Sequence, residues 1–203
     1  MLGSWPASGT RLLEINCGKG YFSTFLEDIG FQVATTGAPW QARRCGACSM
    51  PGLTLAAEAR DLPFETDDFD WAILHLEQER PEDLAQALEE CARISSLGFA
   101  VTFWNRLSLA LLLRGGCQET SRENATPHPV WRPWVCLGRY HGKKRLGSIL
   151  MMPESCWNEK SPLAALNSLG QRLPFGAWCV ASVEFGERYP LTGLPLRLET
   201  GQP

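Results

Sequence analysis

Residues 11–31 read RLLEINCGKGYFSTFLEDIGF, and this stretch decides the fold class. The apolar residues Leu12, Leu13 and Ile15 predict a buried strand, which runs into the glycine turn Asn-Cys-Gly-Lys-Gly at residues 16–20. Residues 22–29 then carry apolar side chains at the spacing of one helix face, and Gly30 ends the helix. This order predicts a ligand cradle, because glycine lets backbone approach a ligand and the first helical amides are unpaired donors.

Two kinds of nucleotide ligand use such a cradle, and the residues favour one of them. A dinucleotide site requires Gly-x-Gly-x-x-Gly, and Ser23 stands where the third glycine would be. Glu14, at the end of the strand, instead suits S-adenosylmethionine, which carries an ammonium and a sulfonium but no phosphate. An ordinary strand-to-helix turn without a ligand is the remaining alternative.

Composition describes an ordinary globular chain. Its 203 residues are 44% hydrophobic and 20% charged, with a formal net charge of -3, so we expect one α/β domain over residues 1–203. The longest basic run is residues 143–145, which argues against a nucleic-acid partner. No apolar run approaches a membrane span, and the first ten residues do not resemble a signal peptide. We therefore predict a cytoplasmic protein, no membrane partner and eight reduced cysteines.

Strands and helices alternate through the first half of the chain. Further strands are predicted at residues 31–36, 53–57, 69–76 and 99–104, and helices at residues 40–50, at residues 81–94 and from residue 107. This alternation predicts a parallel, doubly wound sheet.

The second half of the chain is less regular. Residues 117–144 show no sustained period and predict an irregular insertion. A strand at residues 149–152, a helix at residues 162–169 and a final strand at residues 177–185 follow, and a late strand pair is typical of an antiparallel edge. Because the insertion follows the fifth strand, we expect it to cover a substrate with Trp131 and Trp134.

Three segments together resemble the class I S-adenosylmethionine-dependent methyltransferases, in particular their small-molecule branch with an LPF motif. Residues 13–20, LEINCGKG, resemble the first motif of that family. Residues 59–64, ARDLPF, with Phe-Asp at residues 69–70, resemble its LPF signature, and residues 90–104 resemble its Glu-x-x-Arg, glycine and fifth-strand segment. The resemblance implies a Rossmann-like, doubly wound, mostly parallel seven-stranded sheet with an antiparallel edge strand. It also implies S-adenosyl-L-methionine as cofactor and a small-molecule substrate.

The resemblance carries over to individual positions. It implies eight cofactor-binding residues: Glu14, Asn16, Gly18, Gly20, Gly37, Glu58, Ala59 and Leu74. Glu14 would lie near the methionine ammonium, directly or through water, and Glu58 and Ala59 at the adenine edge. His75 would face the sulfonium, where it is either the catalytic base or a lining residue. A base is required only if the acceptor must lose a proton.

Two departures from the family pattern keep other functions open. Asn16 replaces the first glycine of the motif, although asparagine tolerates left-handed backbone. Gly37 stands where the family has an acid that holds the ribose hydroxyls, and Gln41 is a neutral substitute. The main alternative is therefore a degenerate methyltransferase fold that serves as a binding or interaction module, and a nicotinamide oxidoreductase is a weaker one.

Cysteine and histidine spacing adds no firm site. Cys45 and Cys48 have the spacing of half a zinc knuckle or a redox pair, but no second pair accompanies them. We expect ordinary thiols there and no metal. His128 and His141 fall in the irregular segment. The methyl acceptor and the oligomeric state are not indicated by any of these residues.

Overall fold

The computed structural model describes residues 5, 8–18, 20–37, 54–76, 83–108, 127–150 and 175–186. The predicted helices at residues 40–50 and 162–169 lie outside the described residues, as do Gln41, Cys45 and Cys48. The helix predicted from residue 107 lies outside them beyond residue 108.

The described residues form seven strands and three helices. The strands are β1 (Arg11–Ile15), β2 (Gln32–Gly37), β3 (Thr54–Ala56), β4 (Phe69–Leu76), β5 (Ser95–Trp104), β6 (Lys143–Ile149) and β7 (Trp178–Glu184). The helices are α1 (Tyr21–Asp28), α2 (Leu84–Ile94) and α3 (Trp131–Leu137). None of these helices has the length and hydrophobicity needed to cross a membrane.

All seven strands join one sheet in the order β3-β2-β1-β4-β5-β7-β6. The first five in this order are parallel, and β7 is antiparallel to both β5 and β6. The predicted α/β class and the mostly parallel seven-stranded sheet are therefore confirmed. The antiparallel edge is the β6–β7 pair, in which β7 runs against the other strands and β6 lies outermost.

Helices cover both faces of the sheet, as its buried strands require. On one face, Leu26 of α1 packs with Leu12 of β1 and Ile73 of β4. On the other face, α2 and α3 pack over a larger core that includes Leu88 and Phe103. The apolar stripe of α2, which includes Leu84, Leu88, Cys91 and Ile94, is buried.

The loop that carries the LPF motif is fastened to α2 by an ion pair. Arg93 donates from its terminal nitrogens to the carbonyl oxygens of Phe64 at 2.7 Å and Leu62 at 3.0 Å. Glu90 holds the same guanidinium at 2.7 and 2.8 Å and accepts from the backbone N–H of Leu62 at 3.0 Å. Two segments that are far apart in sequence are thus one structural unit.

Part of the segment predicted to be irregular is regular. Residues 131–137 form α3, because Pro133 lies in the first turn, where a missing N–H breaks no intrahelical bond. The strand expected at residues 149–152 overlaps β6, which spans Lys143–Ile149, only at Ile149, and residues 151–152 lie outside the described residues. The first three residues of β6 are basic, so the sequence pattern did not indicate a strand there. An outermost strand needs no long apolar run.

Helix α3 also corrects the expected position of the two tryptophans. Its residue Leu137 belongs to the larger core, and Tyr140 just after it packs against that core. The ring of His75 contacts Phe22, which packs on the opposite face. Trp131 and Trp134 therefore lie in the layer opposite His75 and do not cover it. For residues 117–126, outside the described residues, the cover stays a prediction.

Candidate functional site

The turn after β1 has the backbone of a ligand cradle. Asn16, Gly18 and Gly20 have φ angles of 61°, 59° and 77°, all in the left-handed region. Glycine reaches this region without strain, and asparagine more readily than most residues. No side chain of the described residues caps α1, which begins just after Gly20. The first amides of α1 therefore face the turn as donors.

Hydrogen bonds tie the turn to the strands on both sides of β1. The side-chain amide of Asn16 donates to the carbonyl oxygen of His75 at 3.1 Å. The backbone N–H of Cys17 donates to the carbonyl oxygen of Thr36 at 3.1 Å. The turn is thus held at the carboxyl ends of β2, β1 and β4, the edge where such sheets bind ligands.

Four buried polar side chains form a row that starts on α1 and crosses β1, β4 and β5 on the α1 face of the sheet. Glu14 is fully buried, and its Oε2 accepts a hydrogen bond from the hydroxyl of Ser23. Its Oε1 lies 3.0 Å from Nε2 of His75. Nδ1 of His75 lies 2.7 Å from the hydroxyl of Thr102. The row therefore runs Ser23, Glu14, His75, Thr102.

The hydrogen bonds of this row are all satisfied by one arrangement of protons. In this arrangement Nε2–H of His75 donates to Oε1 of Glu14, and the hydroxyl of Thr102 donates to Nδ1 of His75. The row therefore centres on the fully buried carboxyl group of Glu14.

His75 and Leu74, both predicted to face the cofactor, point to opposite faces of the sheet. His75 lies edge-on to Phe22, with ring centroids 5.3 Å apart. Leu74 is fully buried and belongs to the larger core under α2. This follows from the two-residue period of a strand.

The carboxyl ends of β2 and β3 bring three of the predicted residues together. Gly37 ends β2 in extended backbone, and its carbonyl oxygen accepts from the N–H of Ala57 at 3.1 Å. Glu58 follows, exposed and paired with Arg60 at 2.8 Å, and Ala59 is buried. Thr36, next to Gly37, is fully buried, and its hydroxyl has no hydrogen-bond partner among the described residues.

Two tryptophans lie at the carboxyl edge on the same face as His75. Trp104 of β5 pairs with Trp178 of β7, and their rings meet at 69° with centroids 4.6 Å apart. Thr102, the partner of His75 in the β4–β5 register, is two residues before Trp104 and therefore on its face. Both tryptophans are half-buried.

His128 lies at the same edge but on the other face. Its backbone bonds to Trp104 and Arg106 at 2.8 and 3.0 Å, which places it beside Asn105. Burial lowers the pKa of its imidazole, and the charge of Arg132 lowers it further. Its Nε2 is buried and has no hydrogen-bond partner in the part of the chain that the structure describes.

The described part of the chain contains no cluster of metal-binding side chains. No group of three or more His, Cys, Asp or Glu there could hold a metal ion. No disulfide joins any two of the described cysteines, which are Cys17, Cys91, Cys136 and Cys179. Burial raises the pKa of Cys179 to about 12, so this thiol stays protonated and unreactive.

Comparison with solved structures identifies the fold. A methyltransferase from Thermotoga maritima, described as S-adenosylmethionine-dependent and as a possible histamine N-methyltransferase, matches with a TM-score of 0.67 and 18% identity. A protein from Pyrococcus horikoshii matches with a TM-score of 0.65 and 16% identity. Each match covers 91% of this chain and 86% of the other. The fold is that of S-adenosylmethionine-dependent methyltransferases.

A third match has a ligand in its structure. The magnesium protoporphyrin IX methyltransferase of Synechocystis, solved with bound S-adenosylhomocysteine, matches with a TM-score of 0.58 and 13% identity. That match covers 91% of this chain and 78% of the other. No protein-family model matches the sequence, and neither does any curated protein. The likeness is thus one of fold.

Sequence reasoning found part of the site and missed the rest. The glycine turn, Glu14 and His75 lie together as the resemblance implied. Thr102, Thr36 and the Trp104–Trp178 pair were missed. One signal was available for Thr102, which is a lone hydroxyl in the apolar run of β5.

Proposed function

We propose that this protein is an S-adenosylmethionine-dependent methyltransferase that acts on a small molecule in the cytosol. The observation that carries the proposal is the left-handed turn through Gly18 and Gly20, at the carboxyl end of β1 in a sheet with this strand order. The cofactor, when bound, supplies a methyl group already activated on a sulfonium.

The residues present fit that cofactor on three counts. Gly18 and Gly20 leave room for a ligand against the backbone, where a Cβ would stand. The buried carboxyl group of Glu14 suits a ligand that carries two positive charges, since His75 is its only ionisable partner among the described residues. The hydroxyl of Thr36, which has no hydrogen-bond partner in the described part of the chain, suits a ligand with hydroxyl groups beside Gly37.

Each residue then has a definite task in the proposal. The amides at the start of α1 and the turn hold the methionine end, and Glu14 attracts its ammonium through the electric field of the buried carboxylate. Glu58 and Ala59 border the adenine, and Thr36 reaches the ribose in place of the missing acid at Gly37. Alignment of the acceptor with the methyl group supplies most of the rate acceleration.

His75 is better suited to positioning than to proton transfer. Both of its ring nitrogens already have partners, Glu14 and Thr102. Its backbone carbonyl, which accepts from Asn16, holds the end of β4 against the turn. We therefore propose that His75 orients the site, and that a base role requires displacement of the Thr102 hydroxyl.

A labelled-methyl assay tests the proposal. The protein is incubated with S-adenosylmethionine that carries a deuterated methyl group, together with a mixture of small-molecule metabolites, and the products are analysed by mass spectrometry. We expect S-adenosylhomocysteine and at least one labelled small molecule. Methyl transfer should be lost in Gly20→Asn, which keeps the left-handed backbone accessible but puts a side chain into the cradle.

The interaction-module alternative makes the opposite prediction. If the native protein, folded by circular dichroism, binds S-adenosylhomocysteine but labels nothing in metabolite mixtures of varied origin, the chain is a binding module. Equal labelling by the Gly20→Asn variant would contradict the proposed cradle.

A further inference from the structure

Trp104 and Trp178 form an aromatic surface beside the polar row. The row ends at Thr102, and the next side chain along β5 on that face is Trp104. Residues two apart on a strand are about 7 Å apart, so the indole of Trp104 stands just beyond the row, toward the carboxyl edge. Trp178 extends this surface onto β7 at the same level.

The two indoles keep part of their surface accessible. Both are half-buried although they contact each other edge to face at 4.6 Å. The apolar side chains one position away, Phe103 and Cys179, are fully buried on the opposite face. Large aromatic rings that stay partly exposed at the carboxyl edge of such a sheet are typical of a recognition surface.

The charge of the neighbouring row favours one class of ligand. Glu14 is a fully buried carboxylate with no lysine or arginine partner among the described residues. A buried negative charge stabilises a nearby cation and repels an anion. The faces of indole rings also attract cations.

We infer that Trp104 and Trp178 form the acceptor subsite and that the acceptor is a small organic cation, an amine with its charged group against the indoles. This inference rests on the proposed function, because it places the acceptor beside the cofactor. The amine recognised by the indoles need not be the atom that is methylated. If the two indoles only packed against each other at the end of the sheet, the protein would not prefer cationic ligands over neutral ones.

Four matched compounds separate charge from shape. 2-Phenylethylamine is an aromatic cation, 2-cyclohexylethylamine is a cation without an aromatic ring, 2-phenylethanol is a neutral aromatic, and phenylacetate is an aromatic anion. Each is titrated into the protein saturated with S-adenosylhomocysteine, and the indole N–H resonances are followed by NMR. We expect both amines to bind more tightly than the alcohol, and phenylacetate to bind most weakly.

Variants of Trp104 and Glu14 test whether these residues cause the preference for amines. Trp104→Leu should weaken amine binding by about three- to thirtyfold, the range of a cation–π contact, and Trp104→Phe should weaken it less. Glu14→Gln should reduce the ratio of amine to alcohol affinity. Circular dichroism identifies any variant that has lost its fold, and each variant is titrated at a saturating concentration of S-adenosylhomocysteine, so that a change in cofactor affinity does not affect the comparison.

The outcomes separate this inference from the proposed function. If S-adenosylhomocysteine does not bind, the proposed function fails and the inference fails with it. If it binds but phenylacetate equals the amines, neither amine binds, or Trp104→Leu leaves amine binding unchanged, the inference alone is overturned.

Discussion

Glu14 shows how one residue can match a family position and still act differently from the simplest expectation. The resemblance placed it near the methionine ammonium, directly or through water. Its two oxygens already accept from Ser23 and His75 inside the protein. The same Ser23 that argued against a dinucleotide site is thus a structural partner of the acid. Such a contact joins a strand to a helix and has no local sequence signal.

Gly37 offers the sharpest test at the level of a single residue. Its backbone is extended and lacks the positive φ that other glycines of this chain adopt. An aspartate there is therefore free of backbone strain. Gly37→Asp should tighten cofactor binding by roughly ten- to a hundredfold, because hydrogen bonds from hydroxyls to a carboxylate contribute on the order of 1.5–3 kcal/mol.

The measurement is S-adenosylhomocysteine affinity of parent and variant by calorimetry, with Gly37→Asn as the uncharged control. Asparagine should recover only a small part of the gain. If Gly37→Asp binds no more tightly than the parent, another group already holds the ribose, with Thr36 as the first candidate in the described part of the chain.

At the scale of elements, the first five strands, α1 and α2 could be predicted, because their apolar periods are clear. Helix α3 and strand β6 could not. Prolines and tryptophans concealed the period of α3, and three consecutive basic residues concealed β6.

Gly98 is the glycine of residues 90–104, the segment that resembles the methyltransferase family, and the structure explains why a glycine stands there. It has a φ of 150°, and a Cβ there would lie 2.8 Å from the ring of Trp71 and closer still to the carbonyl oxygen of Val183.

The Glu90–Arg93 ion pair of α2, which holds the LPF loop by hydrogen bonds to its backbone, predicts a pH-dependent stability. Hydrogen bonding to Arg93 lowers the pKa of Glu90 below its ordinary value. A glutamate whose pKa is lower in the folded than in the unfolded protein stabilises the fold. This stabilisation is complete above the pKa of an unfolded glutamate, about 4.3, and is lost as the pH falls through the pKa of the folded protein. Glu90→Gln should therefore cost about 1 to 2 kcal/mol at neutral pH, since both side chains are partly exposed.

Urea unfolding of parent and Glu90→Gln between neutral pH and about pH 3 measures this effect. The gap between the two free energies of unfolding should shrink as the parent's Glu90 becomes protonated. A gap that stays constant down to acid pH would mean that the charge of Glu90 does not hold the loop. Glu89→Gln, at the exposed neighbouring position, is the matched control.

At the scale of the whole molecule, the strand order decides which residues meet. Residues 14, 75 and 102 form one row only because β4 lies between β1 and β5. The class of fold could be predicted from the sequence through the motifs and their spacing. The row, the unpartnered hydroxyl of Thr36 and the tryptophan pair could not, because each depends on contacts between distant strands.

The central claim is that the turn through Gly18 and Gly20 binds the S-adenosyl cofactor, and calorimetric titration with S-adenosylhomocysteine tests it most directly. It needs no knowledge of the substrate. We predict saturable binding at one site per chain, lost in the Gly20→Asn variant while its circular dichroism stays native. Absence of binding by the folded parent protein, or equal binding by the variant, would contradict the claim.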